Sequence, residues 1–548
     1  STLFTTHTPV PAGHDAFPED LLRMYIPHYP QRLNISWNEF MNFGRYHEDI
    51  QDNKFSMSVL AAKLSQEMNG VSRIHGRVSR QMFKDMYTGF YENEIHIGYV
   101  TNGVHYPTWT NQYWKELYNQ QFGINLHTQQ SNVEVWQKIQ NVPNEFIWNI
   151  RQKLRENLIN YIKKRLTDSM GTRFETPKHI IEVSEVLNPD ALTIGFARRF
   201  ATYKRAHLLF SNLEKLAAIV NNPQYPVQFV FAGKAHPADK AGSDLIKRII
   251  EVSRMPQFTG KIIFLENYNM AMARKLVQGV DIWLNTPARP LEASGTSGEK
   301  AIMNGVVNLS VLDGWWAEGY KPNAGWALKE EVTYKDNYFQ DELDAETIYN
   351  FIEDEIIPRF YKRDDNNVPN EWVSYIKNTI SEIAPHYTMY RQLHDYRDKY
   401  YNKMYERMQK LTTNDFALTR ELASWKYRVI RAWNDLEIVS LNYTNPTNDL
   451  LHLGDIFKAE IVLNAGSEIN PENIMVEMIS GEKSNATGEI KEPEFILPLK
   501  LNKVENGLAY YSLEFPIDTA GDFDFAFRIT PYHSALPHRQ DFNLVKWA

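Results

Sequence analysis

From about residue 190 the sequence alternates short apolar runs with amphipathic helical stretches, and no other feature narrows the choice of fold as far. The runs are 192-LTIGFA-197, 227-VQFVFA-232, 261-KIIFL-265, 280-VDIWL-284 and 306-VVNLSVL-312. Between the earlier runs, Leu208, Leu209, Leu213, Leu216 and Val220 recur at helical spacing after Lys204, and Leu245, Ile249 and Ile250 do so after Pro237. Apolar strands separated by helices build a parallel sheet covered on both faces, whose ligands lie at the carboxyl ends of the strands. The expected class is α/β.

Residues 1 to about 105 read as helices and loops without a complete alternation. Pro9, Pro11, Gly13 and Pro18 punctuate the start, and 55-FSMSVLAAKL-64 has helical spacing. The stretch looks like the end of something larger. Ser1 opens in mid-phrase with no initiator Met, so a processed chain or a fragment is expected. From about 366 to 436 the sequence is helical and ends in Trp425, Tyr427 and Trp433. Beyond it the period becomes two: 456-IFKAEIVL-463, 509-AYYSLEF-515 and 523-FDFAFRI-529 alternate, with hairpin cues at Asn506-Gly507 and Ala520-Gly521. The C-terminus is expected to be an antiparallel β-module, a sandwich by preference.

Composition removes several functions. With 59 Lys+Arg against 67 Asp+Glu, a net charge of −8 and no basic block, nucleic acid is not an expected partner. The absence of cysteine excludes disulfides, thiolate nucleophiles and Cys-based metal sites. No apolar run approaches the ~20 residues of a membrane span, so no membrane partner is expected. His7 and His14 lack accompanying ligands, and no metal is expected. The 13 Trp, 30 Tyr and 28 Phe supply flat faces suited to sugar rings.

Three phrases carry chemistry. In 291-LEASGTSGEKAIMNG-305, a small-residue loop between two apolar runs offers backbone N–H groups to an anion, with hydroxyls from Ser294, Thr296 and Ser297. A nucleotide P-loop is excluded, because only two residues separate Gly295 from Gly298 and Ala301 follows Lys300. Lys300 instead stands where it could reach an aldehyde cofactor whose phosphate occupies the loop; a plain turn with a solvated amine is the other reading. In 194-IGFARRFATYKRAHLLF-210, Arg198, Arg199, Lys204 and Arg205 gather past a strand end, as a phosphate site or as a basic helix start. The third, 101-TNGVHYPTW-109 with 69-NGVSRIH-75 before it, carries Asn-Gly pairs that are ordinarily turns.

Taken in order, 5-TTHTPVP-11, 69-NGVSRIHGRVSR-80, 101-TNGVHYPTW-109, 198-RRFATYKR-205, 231-FAGKAHP-237, 264-FLENY-268 and 292-EASGTSGEKAIMNG-305 resemble the α-glucan (glycogen, starch and maltodextrin) phosphorylases, in particular their bacterial branch. The resemblance runs from residue 1 to about 330, weakens through the helices to about 436 and does not reach the β-module. It implies a B-type glycosyltransferase with two Rossmann-like domains, carrying pyridoxal 5'-phosphate and releasing glucose 1-phosphate from an α-1,4-glucan or maltodextrin with inorganic phosphate. It also implies a cytoplasmic enzyme. By resemblance Lys300 carries the cofactor, while Thr296, Ser297 and Arg198 hold its phosphate. Tyr268 and Trp109 pack near its ring, and Arg199 and Lys204 bind substrate phosphate. Glu292, Asn102, Ser294 and Gly295 match groups around the glucose hydroxyls, and His7 joins them as a substrate contact. Arg199, Lys204 and Glu292 are the expected catalytic set.

Departures accompany the likeness. Gly298-Glu299 stand where the family phrase usually carries Asn-Met, placing a carboxylate beside Lys300, and Asn269 follows Tyr268 where many members have Arg. Gln66-Glu67-Met68 lacks the histidine of animal and plant members, and the family's N-terminal portion is not in the sequence. The expected organisation is 1–110 as the remainder of an N-terminal Rossmann-like domain, 111–436 as the catalytic Rossmann-like domain with its helical extension, and 437–548 as the β-module. A homo-oligomer, or a partner chain supplying the missing portion, follows from that division. A nucleotide-sugar glucosyltransferase on the same fold and a non-catalytic glucan-binding or assembly fragment stay open alongside.

Overall fold

The computed structural model describes residues 2–46, 54–172, 176–328, 336–444, 451–482, 490, 492–521 and 523–548. Its N-terminal region holds five short strands, β1 (Leu3–Thr5), β2 (Ala16–Pro18), β3 (Lys54–Ser56), β4 (Glu67–Gly70) and β5 (Ile97–Tyr99). Three of them form a parallel sheet in the order β1-β4-β5, and β2 and β3 make a two-stranded ribbon. Strands of three or four residues are too short to show a period, which is why the sequence suggested only helices and loops here.

The alternating region forms a six-stranded parallel sheet from β6 (Leu192–Phe200), β7 (Val227–Ala235), β8 (Ile262–Leu265), β9 (Ile282–Asn285), β10 (Val307–Val311) and β11 (Gly325–Leu328). The first five are the expected runs; β11 is additional. Helices Leu213–Val220, Lys240–Ser253 and Met270–Gly279 lie between them. Both faces are buried, and alternate residues take opposite sides. Ile194, Phe196, Phe229 and Phe231 enter one core, whereas Ala197, Val230 and Ala232 enter another with Leu158, Ile162 and Leu276. From the long helix Asn144–Thr172, Arg155 reaches Asp281 at 2.8 Å; Asp281 also accepts the Thr193 N–H at 3.0 Å, fixing the start of β9 against β6.

Strand order is β11-β10-β9-β6-β7-β8. The chain lays β7 and β8 to one side of β6, then returns to place β9 on the other. Winding therefore reverses between β6 and β9, the place where open α/β sheets form a ligand crevice. Only Ile194↔Ile282 and Gly195↔Trp283 are paired across that junction, so the two strands part towards their carboxyl ends.

The C-terminal strands are β12 (Glu437–Tyr443), β13 (Ile456–Asn464), β14 (Ile474–Gly481), β15 (Phe495–Glu505), β16 (Leu508–Pro516), β17 (Asp524–Pro531) and β18 (Lys546–Trp547). In place of two separate sandwich sheets they form one antiparallel sheet, ordered β12-β13-β16-β15-β14-β17-β18. It curls about β15, whose first half pairs with β14 and second half with β16. Phe457, Ala459, Ile461 and Leu463 turn inward at period two and meet Trp425 and Val429 of the helix Asn402–Ala432. Asn506 and Gly507 take φ of 52° and 80° and close the expected hairpin. The Ala520-Gly521 cue does not close one: β16 lies between β13 and β15 while β17 lies between β14 and β18, so the chain crosses the curl there.

Candidate functional site

The crevice between β6 and β9 collects the polar residues of the second phrase. Arg198, near the end of β6, donates to Asn285 Oδ1 at the end of β9 and, at 2.5 Å, to Glu292 Oε2. Lys204, in the turn after β6, donates to the same Oε2 at 2.5 Å. All three side chains are more than nine-tenths shielded from solvent. Burial opposes ionisation of Glu292, but the charges and hydrogen bonds of Arg198 and Lys204 outweigh it and hold the carboxyl below its usual range. Burial, with repulsion from Arg198, brings Lys204 down to about 8. Asp313 accepts the backbone N–H of Glu292 and of Gly314, both at 2.8 Å, and is raised to about 7 chiefly by burial.

Arg199 does not join this group. The strand period sends consecutive side chains to opposite faces, and Arg199 is exposed, with no side-chain hydrogen bond or ion pair among the described residues.

The 291–305 phrase folds as a loop and a short helix, Thr296–Ile302, entered through Gly295 at φ 85°. Gly298 is required by packing: a Cβ there would lie 2.6 Å from Asn308 Oδ1 and 2.9 Å from the Trp315 ring. Trp283 Nε1 donates to Ser297 Oγ at 3.1 Å, and Thr296 opens the helix. Lys300 Nζ lies 4.2 Å from the centre of the Trp109 ring, and burial lowers its affinity for a proton. Glu299 is fully buried, neither carboxyl oxygen has a hydrogen-bond partner among the described residues, and burial pushes it well above the carboxylate range. Tyr268 is half-buried against the same core as Trp109, and its hydroxyl, raised by burial, feels the Arg198 charge.

Asn102 is clamped from the helix Met389–Tyr396. Gln392 donates to its Oδ1 and Arg391 to its carbonyl, both at 2.9 Å. His7 is exposed just after β1, and no hydrogen bond or ion pair ties it to Glu292 or Lys300 among the described residues. Three partners escaped the sequence reading: Asp313, Arg391 and Gln392. The first sits in an Asp-Gly pair that reads as a turn, and the other two lie 289 and 290 positions along the chain from Asn102.

A pyridoxal phosphate group fits these residues. Ser294 Oγ and Arg198 Nε are buried without hydrogen-bond partners among the described residues, so donors are in place for acceptor oxygens, and burial lowers the proton affinity of the Lys300 amine.

Arg198 and Lys204 meet the buried carboxylate of Glu292 where the winding of a parallel α/β sheet reverses, the place where sheets of this class hold their ligands. The sequence profile described as carbohydrate phosphorylase matches residues 19–444, and that described as glycogen phosphorylase C-terminal domain matches residues 433–548. The chain belongs to the carbohydrate phosphorylase family. The second match covers the β-module, which the quoted motifs do not reach. The chain is 37% identical to the maltodextrin phosphorylase of Thermococcus litoralis and 34% identical to the glycogen phosphorylase of Mycobacterium tuberculosis, in each case over 100% of this chain and 63% of the relative. Against the glycogen phosphorylase of Aquifex aeolicus it is 39% identical over 74% of this chain and 57% of the relative. The chain thus spans less than two thirds of the length of these curated relatives.

Proposed function

We propose that the protein acts as an α-1,4-glucan phosphorylase, passing the terminal glucose of a glucan or maltodextrin to inorganic phosphate and releasing glucose 1-phosphate. The fold is then the B-type glycosyltransferase arrangement, divided at about 110 and 436, with the catalytic crevice at the carboxyl ends of β6 and β9. The observation that carries this reading is the convergence of Arg198 and Lys204 on Glu292 beside the loop that leads to the buried amine of Lys300.

The surroundings of Lys204, Glu292 and Lys300 support the roles given to them, and the remaining residues take theirs from the family likeness. Lys300 would hold pyridoxal phosphate, with Trp109 and Tyr268 available to its ring and Arg198, Thr296 and Ser297 to its phosphate. Bound there, the cofactor contributes a phosphate group able to exchange a proton with the substrate phosphate. Lys204 exchanges its contact with Glu292 for substrate phosphate, and the exposed Arg199 adds a free guanidinium. Glu292, relieved of part of its ion pairing, accepts hydrogen bonds from glucose hydroxyls, with Asn102, Ser294, Gly295 and His7 completing the sugar contacts. Holding two phosphates together in a low-dielectric crevice requires several fixed cations and donors, which this arrangement supplies.

Borohydride reduction of the chain loaded with pyridoxal phosphate, followed by peptide mapping, tests the cofactor assignment, and formation of glucose 1-phosphate from maltodextrin tests the activity. A label on Lys300 is expected. A label confined to other lysines, or activity that survives Lys300→Ala unchanged, would overturn the reading.

A further inference from the structure

A second polar cleft of about 430 Å³ lies where three parts of the chain meet: segments 62–66 and 86–87, the helix Asn402–Ala432, and the stretch 536–543 after β17. That helix is kinked at Thr413–Phe416, where Asn414, Asp415 and Phe416 take φ of 51°, 51° and 60°. Thr419 Oγ1 donates back to the Leu411 carbonyl at 2.8 Å, drawing the two arms together. Arg407 on one arm and Lys426 on the other line the same cleft.

Neither cation is held in a close ion pair among the described residues. Arg407 donates to the Ala535 carbonyl at 2.5 Å, and Lys426 Nζ lies 5.3 Å from the centre of the Phe542 ring; neither forms an ion pair among the described residues. Asp541, the one acid lining the cleft among the described residues, has Oδ2 accepting the His538 N–H at 3.3 Å and Oδ1 3.7 Å from His96 Nε2. Glu67, behind it, lies 3.1 Å from His538 Nε2. Burial lowers the proton affinity of both cations, the Asp541 carboxyl offsets part of this at each, and Arg407 adds repulsion at Lys426. Two partly desolvated cations face one cleft whose lining holds a single carboxylate among the described residues, Asp541, so positive charge is left in excess there. Leu411, Leu422, Leu536 and Pro537 line the remainder and leave room for an apolar body.

We propose that this cleft is a second anion site, separate from the crevice between β6 and β9, in which Arg407 and Lys426 hold the phosphate of a small phosphate monoester or inorganic phosphate itself. The inference stands independently of the activity proposed above. Because the lining comes from the N-terminal region, the kinked helix and the β-module, an occupant joins all three.

Isothermal titration of the full chain with inorganic phosphate, and separately with glucose 1-phosphate, tests this. In Lys426→Met, which keeps an apolar stem over Phe542, one class of phosphate site should weaken roughly tenfold or more, the loss of a charge-assisted contact. Asp541→Asn removes the competing negative charge and should tighten that same class, which a merely structural role would not do, and Arg199→Ala should leave it unchanged. Tighter binding of glucose 1-phosphate than of phosphate at this class marks an organic monoester as the occupant; equal binding marks phosphate. Arg407→Met should repeat the Lys426→Met result. Phosphate isotherms identical in wild type, Lys426→Met and Asp541→Asn would overturn the proposal.

Discussion

Glu292 balances the charges of the crevice, since Arg198 and Lys204 both approach one of its oxygens. With Lys204 lowered to about 8, its charge is lost as pH rises through that value, and the hold on phosphate proposed for it would go with it. We expect the KM for phosphate to climb above about pH 8, and Lys204→Arg, whose guanidinium stays charged, to move that limb to higher pH. Lys204→Met should raise KM at every pH and lower turnover by roughly 10²–10³. An alkaline limb in the same place in Lys204→Arg would assign it to another group. Glu299 supplies a second test. Its folded pKa is raised well above the 4.5 of the free carboxyl, so stability is fully present below about 4.5 and declines as pH rises towards the folded value. Glu299→Gln mimics the neutral acid, and its thermal stability should exceed that of wild type increasingly as pH rises. Parallel curves from pH 5 to 9 would mean that Glu299 is ionised in the folded protein. The grouping of cations at a strand end was legible because strand ends carry ligands in such sheets. The split between Arg198 and Arg199 was not: consecutive residues look alike in a motif, whereas the strand period places them on opposite faces.

At the scale of elements, the switch between β6 and β9 opens the crevice, and the packing behind the 291–305 loop sets its shape. Gly298 faces Asn308 and Trp315 at distances that leave no room for a side chain. Gly298→Asn, which restores the residue usual in the family phrase, should destabilise the fold by about 1–3 kcal/mol through overpacking, read as a lower urea midpoint with the slope unchanged. A wild-type midpoint would show that Trp315 yields freely. Element type was legible wherever a run exceeded four residues with clear spacing, as for β6, β7 and β13. It failed at β11, whose Gly-Trp-Ala-Leu has no distinguishing period, and at β1 and β4, which owe their place to pairing partners more than 60 positions away, as the Thr5–Asn69 bond with |i−j| of 64 illustrates. The Ala520-Gly521 turn misled for a related reason: a dipeptide reports a reversal of direction, and strand order decides which neighbour the chain meets.

Across the whole molecule the C-terminal sheet is tied to the N-terminal region by a buried ionic junction. Arg528 is fully buried and donates to Glu94 Oε1 at 2.6 Å and Glu477 Oε2 at 2.7 Å, with its guanidinium 4.7 Å from the Phe90 ring centre. Burial works against its charge, but the two carboxylates more than compensate. Arg539 adds contacts to the same two glutamates, so the junction approaches charge balance with two cations and two anions. Sequence periodicity revealed the β-module but could not reveal this contact, because nothing local distinguishes Glu94 from a solvated glutamate. Removing one member of a buried ionic group leaves the others uncompensated and costs about 3–5 kcal/mol, whereas a matched neutral replacement costs far less. Arg528→Met should therefore loosen the junction strongly, and Arg528→Met combined with Glu477→Gln, which leaves Arg539 paired with Glu94, should recover much of the loss. Hydrogen exchange at residues 87–96 and 524–531 reads the effect locally. Borohydride labelling of Lys300 should be unchanged in Arg528→Met, because Lys300 contacts Trp109 rather than any member of the junction. Loss of label together with faster exchange would show instead that the module holds the cofactor crevice in shape, making the junction part of the catalytic apparatus.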